Sequence, residues 1–199
     1  MKFRLFIFLL VAASAAGCSR AAADEEPPRP DTLAAAPTDR SAPPGAYPRA
    51  PALSGTTGDR EAFSLGQLRG RPAVLVFYRG AYCDICLNRL RSLEAHGAAY
   101  REAGARVVAV TADPATAAEH TARALELGFP VVSVPPSTFR RWGLWREGES
   151  RPRPGEFVLD ADGRVRFAHV GDTAADGPGD VVLLGELADL QRAGGVAAR

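Results

Sequence analysis

Cysteine and histidine are scarce in this sequence, and neither sign of charge is in excess. The 199 residues include three cysteines and three histidines, and the formal net charge is +1. A near-neutral chain without a basic cluster argues against nucleic acid as a partner. The histidines at 96, 120 and 169 lack ligand-like spacing, and a structural zinc site normally needs four Cys or His ligands. We therefore expect neither a metal nor another cofactor.

The N-terminus also lacks an apolar run long enough to span a bilayer, which takes about 20 residues. Residues 1–17 instead have the layout of an export signal, with Lys2 and Arg4 before a short apolar stretch and small residues after it. The end of this segment, Ala15-Ala16-Gly17-Cys18, resembles a bacterial lipobox, although its first position is usually Leu. The resemblance implies that Cys18 becomes the lipidated N-terminus. Ordinary cleavage nearby, leaving Cys18 as a thiol, is the alternative.

Cysteine counting favours lipidation, because an odd thiol is unusual in an exported protein. If Cys18 carries the lipid, the other two cysteines form one pair. We thus expect a lipid-anchored protein of the bacterial cell envelope that faces away from the cytoplasm. Residues 18–51, rich in Pro and Ala, have no apolar periodicity and are expected to form a linker between the membrane and a domain at residues 52–193.

Within this domain, the apolar patterning alternates between strand-like and helix-like periods. Such alternation predicts an α/β fold with parallel central strands. The predicted strands are Ala62–Leu65, Ala73–Tyr78, Arg106–Thr111, Phe129–Val134, Glu156–Asp160 and Arg164–Val170, and the predicted helices run from Cys83 to Gly104, from an Asp113 cap and Pro114 to Leu127, over Ser137–Trp142 and over Val181–Arg192.

The chemistry is expected at Cys83-Asp84-Ile85-Cys86, directly after a buried strand and at the start of a helix. A Cys-x-x-Cys pair can bind metal or exchange disulfides, and the shortage of further ligands favours exchange. Unpaired N–H groups at the helix start favour a thiolate at Cys83, so Cys83 is predicted to attack and Cys86 to resolve. Asp84 opposes this effect. A purely structural disulfide would close too short a loop to stabilise the fold much.

The stretch from Tyr78 to Cys86 resembles the F-Y-R-G-x-W-C-P-x-C motif of peroxiredoxin-like proteins in the AhpC/TSA (redoxin) family, within the thioredoxin-like superfamily. Residues 154–160, PGEFVLD, resemble a second family motif, and the similarity covers about residues 53–190. The resemblance implies a thioredoxin-like fold with a central mixed β-sheet flanked by helices. It also implies that Pro154 is the proline that is cis in thioredoxin-like members, so that Arg153 would present its backbone to a substrate thiol.

Two further residues are expected at the substrate side of the pair. Tyr82 takes the aromatic position before the first cysteine and is expected to pack beside the site. Arg79, in the loop before the cysteines, either stabilises a thiolate or is a solvated loop charge.

The sequence departs from peroxiredoxins proper, which use P-x-x-x-(T/S)-x-x-C. Aligned on Cys86, the chain has Arg79 for the Pro and Cys83 for the Thr, and Pro154 replaces the usual late Arg. These changes favour an envelope thiol–disulfide oxidoreductase, acting on protein or small-molecule disulfides and recycled by a redox partner. The alternative is a thiol peroxidase that reduces hydroperoxides. A third hypothesis, a copper-delivery module, is disfavoured because that family uses Cys-x-x-x-Cys and a His placed before the hairpin, whereas His169 follows the turn.

Overall fold

The computed structural model describes residues 46–197, with side chains as far as residue 193. Cys18, the export signal and most of the expected linker lie outside the described residues. Among the residues that are described, no helix is both long enough and apolar enough to cross a membrane.

Seven strands form a single mixed sheet. The strands are β1 (Ser54–Thr57), β2 (Ala62–Ser64), β3 (Ala73–Phe77), β4 (Arg106–Thr111), β5 (Val131–Ser133), β6 (Gly155–Leu159) and β7 (Val165–Val170). Their order in the sheet is β2-β1-β5-β4-β3-β6-β7; β3, β4 and β5 run parallel to one another, and the other pairings are antiparallel. This arrangement confirms the predicted α/β fold with a central mixed sheet.

Helices cover both faces of this sheet. The α-helices are α1 (Asp84–Ala95), α2 (Gly97–Glu102), α3 (Ala115–Ala124), α4 (Pro136–Arg141) and α5 (Gly179–Ala197). Helices α1, α2, α3 and α5 contribute to the buried cluster on one face, and α4 and a 3-10 turn at Leu65–Leu68 contribute to the cluster on the other.

Strand β3 lies inside the sheet, between β4 and β6, and separates two hydrophobic cores. All five of its residues are buried, as its continuous apolar sequence predicts. Because successive side chains of a strand point to opposite faces, Val74 and Val76 join the core under α1, whereas Leu75 and Phe77 join the core under α4. The strand therefore fixes the start of α1 directly above one of these cores.

The predicted single helix from Cys83 to Gly104 is wrong, because the structure divides it at His96. Helix α1 ends at Ala95, and α2 begins at Gly97, a residue that weakens helix interiors. The imidazole Nδ1 of His96 lies 2.9 Å from the carbonyl oxygen of Ser92, so the side chain competes for a helix acceptor. The short α2 places Tyr100 in the core.

Strand β1 and the segment around Tyr47 pack into the domain, although the sequence analysis did not predict this for either. Strand β1 has the polar sequence SGTT, which carries no apolar alternation, yet it pairs with both β2 and β5. Tyr47, within the expected linker, is only 2% exposed, and the Arg166 guanidinium lies 3.7 Å from the centre of its ring. The last residues of that linker therefore pack with the domain.

Candidate active site

The two cysteines lie at the junction of β3 and α1, where the sequence places them. Cys83 is the N-cap of α1, and Cys86 follows within the first turn. The structure joins them in a disulfide, with their Cα atoms 5.2 Å apart. Cys83 is 8% exposed and Cys86 is 3% exposed, so Cys86 is the more buried of the two, as predicted, but the difference is small. Both cysteines are therefore almost entirely buried.

The backbone gives Cys83 the better environment for a negative charge. The N–H of Cys86 donates a hydrogen bond to the Cys83 Sγ atom over 3.3 Å. This bond and the positive end of the α1 dipole favour a thiolate at Cys83 after reduction. The exposed carboxylate of Asp84, in the first helical turn, acts in the opposite direction.

Asp113 supports the loop that leads into Cys83, a role that the sequence analysis missed. Its Oδ2 atom accepts a hydrogen bond of 2.7 Å from the N–H of Ala81. The N–H of Cys83 then donates to the carbonyl of Gly80 over 3.1 Å, which closes the turn. The predicted cap of α3 by Asp113 is wrong, because the N-cap is Pro114 and its side chain makes no capping bond. The Asp113 carboxylate binds instead to the loop that contains Ala81.

A cavity of about 230 Å³, here called the Cys86 cavity, opens beside the second cysteine. Its apolar walls include Phe77, Ile85 and Pro154, and its polar groups include Arg89, Glu156 and His169. The Nε2 atom of His169 lies 3.2 Å from the carbonyl oxygen of Asp176, so the imidazole is held by the loop before α5. The cavity can admit a small group next to Cys86.

Pro154 reaches the site, but the expected cis peptide bond is wrong. The described residues contain no cis peptide bond, and Pro154 is trans. The N–H of Arg153 donates to the carbonyl of Leu144 over 2.6 Å, which leaves that N–H unavailable to a substrate. The Arg153 side chain donates to the carbonyl of Gly171 and forms an ion pair with Asp172. Arg153 is therefore engaged in holding loops together.

A buried ionic cluster, which the sequence analysis also missed, forms one wall of the Cys86 cavity. Arg89 on α1 donates two hydrogen bonds to Glu156 on β6, of 2.8 and 3.0 Å, and a third of 2.8 Å to Asp180 at the start of α5. Asp180 also accepts bonds of 2.6 Å each from Ser92 and Tyr100. A lone acidic residue within the apolar strand sequence GEFVL was the available signal for a buried partner.

Burial and pairing compete within this cluster. Burial alone would raise the pKa of Asp180, but hydrogen bonds from Arg89, Ser92 and Tyr100 hold that pKa below its ordinary value of 3.8. Burial, together with the hydrogen bond to Asp180, raises the pKa of Tyr100. The cluster combines one guanidinium with two carboxylates, so it adds no net positive charge next to Cys86.

Tyr82 and Arg79 line a different cavity from the one that Arg89 and Glu156 line. Tyr82 is 54% exposed, and the Arg151 guanidinium carbon lies 5.1 Å from the centre of its ring. Tyr82 was expected to pack beside the site, and it does so mainly as an exposed surface rather than as a core residue. Arg79 is half-buried and lines two cavities that it shares with Arg151.

Tyr78 lies within the buried cluster that contains both cysteines. Burial raises the pKa of Tyr78 to about 12, so its hydroxyl stays protonated at neutral pH.

Residues 46–197 include no group of three or more His, Cys, Asp or Glu side chains that could hold a metal ion.

Proteins of similar sequence are peroxiredoxins. The chain is 26% identical over 126 residues to a chloroplastic peroxiredoxin Q of Triticum aestivum, and 25% identical over 126 residues to the corresponding protein of Oryza sativa subsp. japonica. Each alignment covers 58% of this chain and 58% of the plant protein, so the chain spans little more than half the length of these relatives.

Solved structures of similar shape come from the same group. The peroxidoxin BcpB of Mycobacterium tuberculosis superposes with a TM-score of 0.63 at 19% identity, covering 73% of this chain and 96% of that protein. The AhpC of Enterococcus faecalis gives a TM-score of 0.64 at 18% identity, with coverages of 77% and 94%. A peroxiredoxin Q structure from Xanthomonas campestris gives 0.61 at 21% identity, with coverages of 70% and 90%. These likenesses establish the thioredoxin-like fold.

A family model also matches the central part of the chain. Residues 48–168 match the AhpC/TSA family, and this range holds the cysteine pair, Asp113, Pro154 and Glu156. The range extends over more than half of the sequence and includes every strand except the end of β7. The chain therefore belongs to the AhpC/TSA family.

Proposed function

We propose that the protein is a thiol-dependent oxidoreductase that exchanges disulfides through Cys83 and Cys86. The observation that carries this proposal is the disulfide across the first turn of α1, with the Cys83 sulfur accepting the N–H of Cys86. Such a pair supports attack by one thiolate and release of the resulting mixed disulfide by the other. Family membership supports thiol-dependent chemistry in general.

The surroundings of Cys86 favour disulfide exchange over peroxide reduction. A peroxidatic thiol needs donors that orient and polarise the peroxide O–O bond, and Pro154 and Cys83 stand where the family resemblance expects the Arg and the Thr. The cation that lines the Cys86 cavity, Arg89, donates three hydrogen bonds to Glu156 and Asp180. Its charge is thus neutralised by carboxylates rather than directed at a substrate.

Thiol peroxidase activity is the second candidate. It is supported by the plant relatives, which are peroxiredoxins by name. The motif resemblance, in which Cys86 takes the position of the peroxidatic cysteine, also supports it. In that reaction Cys86 would attack the peroxide and Cys83 would resolve the sulfenic acid as a disulfide. A reductant would have to recycle the pair in either case.

Serine variants distinguish the two reactions. We expect Cys86→Ser to trap mixed disulfides with substrates through Cys83, and Cys83→Ser to trap none, because the attacking sulfur is then missing. Disulfide and peroxide consumption should be measured side by side for the wild type and both variants. Rapid formation of sulfenic acid by Cys83→Ser with peroxide would reverse the assignment of roles and favour the peroxidase.

We also propose that the enzyme works in the bacterial cell envelope, held by a lipid on Cys18. The support is the export signal followed by Ala15-Ala16-Gly17-Cys18. Mass spectrometry of the membrane fraction should find a diacylglyceryl group on Cys18, and Cys18→Ala should release the protein into the soluble fraction. Recovery of an unmodified mature wild-type protein from the soluble fraction would contradict this proposal.

A further inference from the structure

Two arginines near Cys83 line a shared cleft and have no acidic partner. Cavities of about 290 and 400 Å³ adjoin one another, and Arg79, Ser150, Arg151 and Pro152 line both. We call them together the Arg79 cleft. Among the described residues, no carboxylate oxygen lies within 4.0 Å of the Arg79 or Arg151 guanidinium.

The acidic residues of this cleft are already engaged with other groups. Asp113 accepts the N–H of Ala81, Glu149 accepts the N–H of Arg146 over 3.0 Å, and Asp172 pairs with Arg153. Asp113 and Glu149 keep their negative charges, because their partners are neutral backbone N–H groups, whereas Arg79 and Arg151 have no ion pair within the described part of the chain and remain able to bind an anion.

The cleft reaches the reactive pair from two directions. The guanidinium of Arg151 lies over the Tyr82 ring, one residue before Cys83. Arg79 precedes the turn that the Cys83 N–H closes on Gly80. In addition, Pro154 is a common wall of the cleft and of the Cys86 cavity. Cys83 itself lines neither cavity of the cleft, so a substrate joined to Cys83 would reach the arginines past Tyr82 and Pro154.

We propose that Arg79 and Arg151 form a carboxylate subsite, so that the preferred small substrates are thiols and disulfides bearing a carboxylate near the sulfur. Guanidinium groups match the geometry of carboxylates and can bind them through two parallel hydrogen bonds. The subsite rests on the proposed disulfide-exchange function and defines the class of substrate for it. Asp84, which is exposed beside Cys83, adds repulsion that a substrate anion avoids by turning toward the arginines.

The reaction at this subsite is a two-electron exchange. The Cys83 thiolate attacks one sulfur of the substrate disulfide, forming a mixed disulfide and releasing the first substrate thiolate. The Cys86 thiolate then attacks the Cys83 sulfur, which releases the second substrate thiolate and leaves the protein disulfide. The dithiol loses two electrons, the substrate gains them, and the released thiolates take up protons from solvent. The arginines bind the carboxylate and exchange no electrons.

Single-turnover reduction of three matched disulfides tests the subsite. The pre-reduced protein is mixed separately with dithiodipropionate, hydroxyethyl disulfide and cystamine, which are anionic, neutral and cationic at neutral pH. We expect dithiodipropionate to react about two- to fivefold faster than hydroxyethyl disulfide, the range that partly exposed ion pairs provide, and cystamine to react slowest. Each rate is divided by that of the same disulfide with dithiothreitol, which removes intrinsic differences between the three compounds.

Variants assign this preference to the arginines. Arg79→Gln and Arg151→Gln should each reduce the ratio of the anionic to the neutral rate, and the double variant should bring it close to one. Because the ratio compares two substrates of one protein, any change in the reactivity of Cys83 itself cancels. Arg123→Gln is the matched control on α3, where Arg123 pairs with Glu119, and it should keep the wild-type ratio.

The outcomes separate the subsite from the function on which it rests. Reduction of all three disulfides with no preference for the anion, or a preference that survives in the double variant, overturns the subsite and leaves disulfide exchange intact. Failure to reduce any of them overturns the proposed function and the subsite with it. An anion preference that the double variant removes establishes the subsite.

Discussion

We expect the loss of Arg89 to destabilise the fold next to the candidate active site. Its side chain is 18% exposed, while those of Glu156 and Asp180 are 6% and 7% exposed. The guanidinium donates three charge-assisted hydrogen bonds and connects α1, β6 and α5. Arg89→Met keeps most of the apolar stem but removes the guanidinium from the buried carboxylates of Glu156 and Asp180. The half-exposed His96 imidazole, 3.5 Å from Asp180 Oδ2, is then the basic group beside them.

The expected cost is about 3–5 kcal/mol in the free energy of unfolding, which is typical when one partner of a buried ion pair is removed. A small domain is stable by about 5–15 kcal/mol, so the variant should still fold. Urea unfolding is the appropriate measurement, because a salt denaturant would screen the charges. Arg91→Met is the matched control on the exposed side of α1, and it should cost less than about 0.5 kcal/mol.

The pH dependence provides a sharper test of the same reasoning. In the wild type the pKa of Asp180 is held below 3.8, so its contribution to stability is present above that value and is lost as the pH falls through the lower folded pKa. Without Arg89, burial raises the carboxyl pKa in the folded state, so protonation favours folding of the variant in mild acid. The difference between wild type and Arg89→Met should therefore shrink from pH 7 toward about pH 4.

Three results would refute this account: a loss below about 1 kcal/mol at neutral pH, a difference that grows in acid, or no coupling between Arg89 and Glu156. For the last, Glu156→Gln in the Arg89→Met background should recover about 1–2 kcal/mol, because it removes one of the uncompensated buried charges. If Glu156→Gln lowered the free energy of unfolding equally in the wild type and in Arg89→Met, the two side chains would not act together.

Two further perturbations probe the cysteine pair and its loop. Asp84→Asn should increase the fraction of Cys83 present as thiolate at neutral pH by about threefold or less, because an exposed charge at this range acts through water. The measurement is the rate at which a limiting alkylating reagent modifies Cys83 in the Cys86→Ser background, with and without Asp84→Asn. An unchanged or lower rate with Asp84→Asn would contradict the prediction. Asp113→Ala should cost about 1–3 kcal/mol and slow disulfide exchange, since the partly buried Ala81 N–H loses its acceptor. Asp59→Ala, at an exposed position, is the control for Asp113→Ala in urea unfolding and exchange assays, and equal effects of the two variants would exclude a special role for Asp113.

The cysteine pair and its backbone setting could be predicted from the sequence because they depend on local order along the chain. The apolar run Ala73–Tyr78 predicts a buried strand, and β3 follows it almost residue for residue. The change of period at Cys83 predicts a helix start, and Cys83 is the N-cap. Spacing of three residues within one helical turn brings the two sulfurs within bonding reach, whatever the rest of the fold does.

Groups that meet across the fold could not be predicted in the same way. The Asp113 carboxylate had a local role available as a helix cap, yet it binds the loop before Cys83 because the parallel pairing of β3 and β4 brings the ends of both strands to one edge. Likewise, Arg89, Glu156 and Asp180 are separated by up to 91 residues, and only the packing of α1 and α5 against β6 joins them.

The sequence by itself therefore determined the strand–helix unit that carries the thiols, since hydrophobic periodicity and helix-start geometry act over a few residues. The tertiary structure decided which charged side chains surround those thiols. Long-range pairing set Arg89 between two carboxylates and left Arg79 and Arg151 beside Cys83 without an acidic partner among the described residues. The interaction between two charges depends on their distance in the folded protein, and the order of residues along the chain does not give that distance.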